Sequence, residues 1–305
     1  MIRIRQGHRR PVMLAIAGDS AAGKSTVAHG IVESLGPDRC LMLSTDDYHR
    51  YDRRERAGKP FTALSPDCHH LDILAQHLQL LATGEPILKP VYDHGSGELI
   101  RPTLVEPAEF VIVEGLLPLH SKLARACFDV TVYLDPAEEV RHEWKMLRDT
   151  TFRGYTPEQV LAELTAREPE SAAYIRPQRE HADIVVRFAP IPGRDDPPGT
   201  PLSAEVLLRS TIEQPDLTAA QQSGLSRTMH LNSDAGEAGQ VDRLHVHGYA
   251  GGEDSATAEK LVWHALGRDA SPVPDALGRI APGLRSTPLA IAQMVLLHHL
   301  LTAVR

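Results

Sequence analysis

The chain has 305 residues, 42% of them apolar and 24% charged, which is typical of a globular protein large enough for a core domain with an appended smaller unit. Its 40 acidic residues outnumber the 32 basic ones, and the net charge of −8 argues against general nucleic-acid binding. The three cysteines have no CxxC spacing, so they predict no disulfide framework, no zinc site and a reducing, cytoplasmic environment.

Apolar runs and amphipathic helices alternate along the first two thirds of the chain. The runs that predict buried strands are 12–17, Cys40–Ser44, 110–113, 129–134 and 184–188. Helices are predicted at Lys24–Leu35, from Ser65-Pro66-Asp67 to Gly84, from Asp135-Pro136 through about Asp149, and from Thr156-Pro157-Glu158 onward. This alternation predicts a mostly parallel sheet with helices on both faces and a ligand site at the carboxyl ends of its strands.

The last third of the chain has a different pattern. Residues 189–201 hold five prolines and predict a connection, and 233–240 predict a loop. Strands are predicted at 202–209 and 243–249, and helices at 256–266 and 288–304. Polar residues interrupt the apolar stretch at 289–304, so we expect a docked helix and no membrane span. We therefore predict a core at 1–190, a Pro-rich connection at 191–201 and a C-terminal α+β portion at 202–305 that packs on the core.

A phosphate-binding motif follows the first predicted strand. Residues 18–25, GDSAAGKS, match G-x-x-x-x-G-K-[ST], in which glycines let backbone N–H groups surround phosphate oxygens. Lys24 is expected to reach the β- and γ-phosphates, Ser25 to offer its hydroxyl to Mg²⁺, and the helix that follows to point its positive end at the anion. The motif predicts ATP binding on a P-loop NTPase-type α/β fold.

Acidic residues follow two other predicted strands. Asp46 and Asp47 come directly after the second strand, where one carboxylate could accept the proton of an attacking hydroxyl. Glu114 ends the third strand, where an acid would orient Mg²⁺ or its water. Each could also be an ordinary turn or capping carboxylate.

Basic residues cluster in two places. Lys145, Arg148 and Arg153, with Asp149 among them, predict a lid that closes over the transferring phosphoryl group, and the alternative is a solvated helix face. Five basic residues soon after Asp46 indicate a pocket for an anionic acceptor, although about half of them could simply be solvated; they are Arg50, Arg53, Arg54, Arg56 and Lys59. The 16 histidines include no HExxH, and His69-His70 has no partner at ligand spacing, so no dedicated metal site is expected among them.

Seven segments, in this order, resemble phosphoribulokinases over about residues 12–190. They are GDSAAGKST, DDYHRYDRR, TALSPDCHHLD, KPVYDHGSGE, VIVEGLLP, YLDPAEEVRHEWKMLRDTTFRGYTPE and AYIRPQREHAD. The resemblance implies an enzyme that uses ATP and Mg²⁺ to phosphorylate ribulose 5-phosphate at its C1 hydroxyl. It also implies a small-molecule partner and a homo-oligomeric state.

The resemblance assigns roles to individual positions. The expected catalytic residues are Lys24, Asp46 as the base, Glu114 and Arg148. The expected ATP-binding residues are Gly18, Asp19, Ser20, Ala21, Ala22, Gly23, Lys24, Ser25, Thr26, Arg148 and Arg153. The expected acceptor-binding residues are His49, Arg53, Tyr92, His94, Lys145 and Arg167. The expected Mg²⁺ ligands are Ser25, Asp46 and Glu114.

Several departures from the family pattern leave alternatives open. Ala22 and Ser44 occupy the positions at which plant-type enzymes carry regulatory thiols, so we expect no thioredoxin switch. Leu117 replaces a histidine and Asp93 an asparagine, and the second change looks more like uridine kinase. A kinase for a nucleoside or another sugar phosphate is therefore the alternative enzyme, and a nucleotide-binding regulator without turnover is the alternative outside enzymes.

Overall fold

The computed structural model describes residues 10–191, 193–194, 197, 199–218, 228–236, 239–268 and 270–304. The strands are β1 Val12–Gly18, β2 Cys40–Ser44, β3 Ile87–Asp93, β4 Glu98–Val105, β5 Phe110–Gly115, β6 Val130–Leu134, β7 Ile184–Ala189, β8 Ser203–Arg209, β9 Met229–Gly236, β10 Gly239–Val246, β11 Arg279–Ala281 and β12 Leu284–Arg285. The helices are α1 Lys24–Leu35, α2 Arg53–Arg56, α3 Leu71–Ala82, α4 Lys122–Arg125, α5 Glu138–Phe152, α6 Pro157–Glu170, α7 Gly252–Ala265 and α8 Thr287–Ala303.

One large sheet organises the fold. Its strand order is β2-β5-β1-β6-β7-β8-β10-β9, parallel from β2 to β7 and antiparallel from β8 onward. β1 and β5 lie inside this sheet, and every residue of both is buried, which explains their unbroken apolar sequences. Glu114 on β5 pairs in register with Ile16 and Ser44, so β1, β2 and β5 end at one edge. The predicted α/β class is confirmed.

Some predicted elements have different limits in the structure. β2 is an edge strand in which only Leu43 is buried, so it is not the buried strand that its apolar sequence predicts. Ser65 opens only a short 3₁₀ turn, Pro66–Cys68, and the helix begins at Leu71. Leu74, Ala75, Leu78 and Leu81 form its buried face.

Three hairpins were not predicted, and the shortest of them, β11–β12, forms a separate two-stranded sheet. β3 and β4 form a separate two-stranded sheet, and β4 is exposed along nearly its whole length, so it lacks the apolar pattern that marks a strand. The loop prediction for 233–240 is wrong at 233–236 and 239–240, which belong to β9 and β10, while 237–238 lie outside the described residues. Backbone pairing at this outer edge of the large sheet tolerates the small and acidic residues that indicated a loop.

The last helix connects the end of the chain to the phosphate-loop helix. α8 is apolar on all sides and almost completely buried, and the side chain of Gln293 at its centre reaches α1. The Gln293 amide nitrogen donates to the carbonyl oxygens of Thr26 at 3.3 Å and Val27 at 3.2 Å, and its oxygen accepts from Gly278 N at 2.7 Å. A Cβ on Gly30 would lie 2.2 Å from Gln293 Nε2, so a side chain at position 30 would displace Gln293 from its present position.

The described residues include no helix that is both long and apolar enough to cross a bilayer. β8, β9 and β10 of the C-terminal third continue the same sheet as the strands before them. The division of the chain at 191–201 remains a prediction.

Candidate active site

The phosphate loop joins the end of β1 to α1 through a strained backbone. A Cβ on Gly18 would approach the carbonyl oxygen of Leu134 to 2.7 Å, and Gly23 has a left-handed φ of 87° where α1 begins. Ala21 also has a positive φ of 63°, which is uncommon for a residue with a side chain. Such strain concentrates at functional loops, where backbone N–H groups must point inward.

Lys24 is folded back into the loop. Its Nζ donates to the carbonyl oxygens of Gly18 at 3.0 Å and Asp19 at 2.8 Å, and the residue is only 9% exposed. Burial lowers the pKa of Lys24, although the charges of Glu114, Asp46 and Asp19 oppose that shift. Lys24 is therefore held among acidic residues at the end of β1.

The side chain of Asp19 braces the loop against the rest of the molecule. Its carboxylate accepts hydrogen bonds from Ser20 N, at 2.6 Å, and from the hydroxyl of Ser171. Arg141 Nη1 lies 3.7 Å from the same carboxylate. Arg141 lies on α5 and Ser171 on the turn after α6, so Asp19 links the phosphate loop to the predicted lid. Ala22 is completely buried beside it.

Asp46 stands in a 3₁₀ turn, Thr45–Tyr48, at the end of β2. The hydroxyl oxygen of Ser44 accepts from Asp46 N at 3.3 Å and fixes the start of this turn. One carboxylate oxygen, Oδ2, lies 3.5 Å from His94 Nε2, and the other, Oδ1, is buried without a hydrogen-bond partner. Burial alone would raise the pKa of Asp46, but three histidines and Lys24 outweigh it and lower that pKa.

The neighbouring acid has a different environment. Asp47 forms an ion pair with Lys89 and accepts a hydrogen bond from Tyr92 N at 3.0 Å, so both of its carboxylate oxygens hold the β3–β4 hairpin. Of the two acids after β2, only Asp46 has an unpaired oxygen.

Glu114 ends β5 next to the phosphate loop. It is 8% exposed and accepts a hydrogen bond from the side chain of Ser44. Burial raises the pKa of Glu114, and the positive charge of Lys24 partly offsets this shift. The unpaired Oδ1 of Asp46, the Glu114 carboxylate and the exposed Ser25 hydroxyl are the hard oxygen donors that Mg²⁺ prefers, so these residues fit that ion.

Four predicted acceptor-binding residues, from the turn after β2, from α2 and from the β3–β4 hairpin, converge beside Asp46. The rings of His49 and Tyr92 stack with centroids 4.6 Å apart, and Tyr92 meets His94 edge-on at 5.1 Å. Arg53 donates from Nη2 to the carbonyl oxygen of His94 at 2.6 Å. The structure thus brings four of the six predicted acceptor-binding residues together with Asp46.

The predicted lid is organised around Asp149, which is completely buried. Its carboxylate accepts from Lys145 Nζ at 2.5 Å and Arg148 Nε at 2.8 Å, and Arg153 Nη1 lies 3.5 Å away. Burial would raise the pKa of Asp149, but hydrogen bonds from Arg148 and Lys145 lower it to about 2. Arg148 also reaches Ser20 Oγ, at 3.4 Å, which places its guanidinium over the phosphate loop.

Lys145 and Arg167, the other two predicted acceptor-binding residues, lie elsewhere. Lys145 is 1% exposed and pairs with Asp149 and, at 2.6 Å, with Glu163, and Arg167 pairs with Glu163 as well. Both line a small cavity beside Asp19 and Ser20. They therefore connect α5 to α6 near the phosphate loop and do not join the group around Asp46.

Several residues at the site were not predicted from the sequence. Arg141, Ser171, Lys89 and Glu163 each hold a predicted site residue in place. Only Glu163 had a local signal, because it stands four residues before Arg167 on the same helix. The other partners are more than 40 residues away from the residues they contact, so no spacing rule could find them.

Comparison with known proteins agrees with this geometry. The sequence model of the phosphoribulokinase / uridine kinase family matches residues 13–192. The chain belongs to this family. It is 40% identical over 181 residues to a phosphoribulokinase from Synechocystis sp., covering 59% of this chain and 54% of that protein. It is 31% identical over 214 residues to a uridine kinase from Deinococcus deserti, covering 68% of this chain and 99% of that protein.

A solved phosphoribulokinase from Rhodobacter spheroides superposes with a TM-score of 0.55 at 18% identity, covering 76% of this chain and 90% of that one. This likeness supports the fold alone. The matched region covers little more than half the length of the curated phosphoribulokinases from Synechocystis sp. and Spinacia oleracea, 54% and 56%.

Proposed function

We propose that this protein transfers the γ-phosphoryl group of MgATP to the C1 hydroxyl of ribulose 5-phosphate, giving ribulose 1,5-bisphosphate and ADP. The observation that carries the proposal is the position of Asp46. Asp46 lies close enough to Lys24 of the phosphate loop for that charge to lower its pKa, and its Oδ2 approaches His94 of the cluster, while its buried Oδ1 is unpaired. A base between a nucleotide site and an acceptor site is what phosphoryl transfer requires.

In the proposed reaction, Asp46 accepts the proton of the C1 hydroxyl as the hydroxyl oxygen bonds to the γ-phosphorus. The bond from that phosphorus to the β–γ bridging oxygen breaks, and ADP leaves. Lys24 and Arg148 face the phosphate chain and offset the charge on its oxygens. Ser25, Asp46 and Glu114 would hold Mg²⁺, which supplies further positive charge to the phosphates when it is bound.

We assign the phosphate group of the acceptor to the side of the cluster that carries Arg53 and Arg56. Arg53 stands at the start of α2 with its guanidinium next to His94, and Arg56 lies 5.9 Å from the centre of the Tyr92 ring. A guanidinium can bind a phosphate through two parallel hydrogen bonds. His49 and Tyr92 would then position the sugar against Asp46.

Lys145 and Arg167 can contact the acceptor only after Glu163 releases them. We propose that this exchange accompanies closure of α5 and α6 over bound ATP. Arg153 and Arg148, paired to Asp149, would move with them.

Phosphorylation of a nucleoside is the second candidate function, supported by the match to a whole uridine kinase. The two sequence departures that favoured it carry little weight in the structure. Leu117 is 1% exposed in a cluster with Leu64, Leu116 and Ile175, and Asp93 accepts hydrogen bonds from Gly95 N and Ser96 N in the hairpin turn. Both side chains make contacts within the fold, so neither change indicates a nucleoside pocket. We therefore favour a sugar phosphate as the acceptor.

The decisive experiment measures ADP release with ribulose 5-phosphate, ribose 5-phosphate and uridine as separate acceptors. We expect turnover with ribulose 5-phosphate far above the others. Turnover with uridine alone would favour the nucleoside kinase, and ATP binding without turnover on any acceptor would favour a regulator. Cytoplasmic location and homo-oligomeric assembly remain predictions, and light scattering after size exclusion tests the latter.

A further inference from the structure

A group of metal-ligating side chains lies beside the proposed acceptor site. His49, Cys68 and His69 each offer one ligand atom, and these three atoms lie within 4.8 Å of one another. All three residues are buried, with 4%, 0% and 1% exposure. The sequence predicted no such site, because Cys68 and His69 are adjacent and do not have the spacing of a metal-binding motif. Their partner comes from the turn after β2, where His49 forms an antiparallel bridge with His69.

The hydrogen bonds of the two histidines identify their free nitrogens. Nε2 of His69 lies 2.8 Å from the carbonyl oxygen of Ala63, and a carbonyl only accepts, so Nε2 carries the proton. Its Nδ1 then has a lone pair, and this buried atom has no hydrogen-bond partner. Nδ1 of His49 bonds the carbonyl oxygen of Asp46 in the same way, which leaves the lone pair of His49 on Nε2. Backbone carbonyls that accept a hydrogen bond from the other ring nitrogen commonly orient metal-binding imidazoles in this manner.

We propose that His49, Cys68 and His69 form a binding site for a thiophilic divalent cation of the zinc class. Two imidazoles and a sulfur suit such an ion, whereas the oxygen ligands of Mg²⁺ are absent from this trio. Tetrahedral coordination with Zn–N and Zn–S bonds of about 2.0–2.3 Å separates ligand atoms by about 3.5 Å. The three side chains therefore close by about 1 Å on binding.

The charges around the trio permit the ion. Cys68 releases its proton to solvent when the metal–sulfur bond forms. Burial raises the pKa of this thiol, and the Arg56 side chain beside the sulfur only partly offsets that shift. Asp46 supplies a second negative charge near both histidines. Because a proton leaves on binding, affinity for the ion should rise with pH.

Occupation of this site has a consequence that rests on the proposed function. His49 cannot ligate a metal and contact the sugar phosphate in the same geometry, and the bound ion would stand next to Asp46. Zinc should therefore inhibit turnover by competing with the acceptor and not with ATP.

The test is a titration of the reduced full-length protein with Co²⁺, which reports on its ligands by absorption. We expect binding of one ion per chain with a near-ultraviolet thiolate-to-cobalt charge-transfer band, and displacement of the cobalt by Zn²⁺. Cys68→Ala should abolish the band, and Cys127→Ala, which removes another buried thiol far from the trio in sequence, should leave it unchanged. Absence of the band, or its persistence in Cys68→Ala, would overturn the proposal.

A second variant guards against a folding defect in Cys68→Ala. His69→Gln keeps the sulfur, so its band should remain but require at least about tenfold more Co²⁺. An unchanged affinity in a variant with wild-type circular dichroism would exclude His69 as a ligand and contradict the site.

Kinetic measurements separate the metal site from the proposed reaction. Cys68→Ala should retain turnover and lose the zinc inhibition that Cys127→Ala retains. If no acceptor supports turnover, the proposed function fails while the cobalt titration still decides the metal site. If turnover is normal and the charge-transfer band is absent, only the metal site fails.

Discussion

His94 Nε2 approaches one carboxylate oxygen of Asp46 to 3.5 Å, while the other oxygen of Asp46 remains buried and unpaired. This asymmetry gives the two oxygens different environments. The first is next to an imidazole on the β3–β4 hairpin, and the second is available to a substrate hydroxyl or to Mg²⁺. Burying an unpaired carboxylate oxygen is costly, which is why such atoms indicate a binding partner.

Replacing Asp46 with asparagine removes the proposed base and preserves the shape of the side chain. We expect kcat to fall by a factor of about 10² or more, with nucleotide affinity largely intact. The measurements are steady-state ADP release and fluorescence titration with an ATP analogue. Near-wild-type activity in Asp46→Asn would assign the base to another residue.

Asp47→Asn is the matched control for that variant. Asp47 is occupied by Lys89 and Tyr92 N, so its loss should loosen the β3–β4 hairpin. We expect a raised acceptor KM and a lower melting temperature with a smaller effect on kcat. A larger kcat loss in Asp47→Asn than in Asp46→Asn would reverse the two roles.

Arg53→Ala tests whether the acceptor carries a phosphate. Losing a charged hydrogen-bonding partner should raise the acceptor KM by about tenfold or more and leave the KM for ATP unchanged. Arg54, the next residue on α2, is exposed and serves as the control, since Arg54→Ala should change neither constant. Equal acceptor constants in wild type and Arg53→Ala would contradict a sugar-phosphate acceptor at this position.

Asp149→Asn tests the charge cluster of the lid. The substitution leaves Lys145, Arg148 and Arg153 without the carboxylate they share, and breaking a buried ion pair costs about 3–5 kcal/mol. Urea denaturation should detect this loss, together with a raised KM for ATP. Glu168→Gln removes an exposed pair with Arg176 and should cost less than about 1 kcal/mol. Similar losses of unfolding free energy in both variants would show that the buried cluster stabilises the fold no more than an exposed ion pair does.

His299 gives the fold a pH dependence. Burial lowers the pKa of this α8 imidazole to about 4, so the unfolded chain takes up a proton near neutral pH that the folded chain refuses until pH falls to about 4. Stability is therefore complete above the unfolded pKa of about 6.5 and is lost as pH falls below it.

Between about pH 7.5 and pH 5.5, the wild type should lose about 1 kcal/mol more stability than His299→Gln. Urea denaturation at the two pH values measures this difference. An equal loss of unfolding free energy between the two pH values in wild type and His299→Gln would refute this role of His299.

Activity should not respond to dithiothreitol after mild oxidation. Ala22 in the phosphate loop and Ser44 at the end of β2 carry no sulfur, and Cys40, Cys68 and Cys127 are all free thiols. The assay compares oxidised and reduced enzyme after a chelator has removed any metal bound at Cys68, has itself been removed, and MgATP has been added. A large loss that dithiothreitol reverses would contradict the prediction.

The sequence predicted those features that depend on local chemistry. The phosphate loop, the strands of the parallel core and the acids at their carboxyl ends all follow from short motifs and apolar runs. Asp46 and Glu114 could be placed near Lys24 because parallel strands end at a common edge. These local signals were sufficient to predict the α/β fold, which the structure confirms.

The features that could not be predicted depend on which side chains meet across the fold. Two adjacent aspartates, Asp46 and Asp47, look equivalent in sequence, and only the position of Lys89 on a hairpin separates their environments. A lysine can bind an anionic substrate, but the ammonium group of Lys145 forms an ion pair with Glu163 from the next helix. The edge position of β2 and the exposure of β4 are likewise decided by neighbours, not by their own residues.

The close contact between Gly30 and Gln293 has a consequence for recombination of this chain with its relatives. The family match ends at residue 192, so a chimera would naturally be joined there. Such a chimera would bring a foreign last helix against an α1 whose Gly30 is shaped for one glutamine side chain. Residue 30 and the helix at Thr287–Ala303 therefore share a contact, and crossover points chosen by sequence similarity alone would separate its two sides.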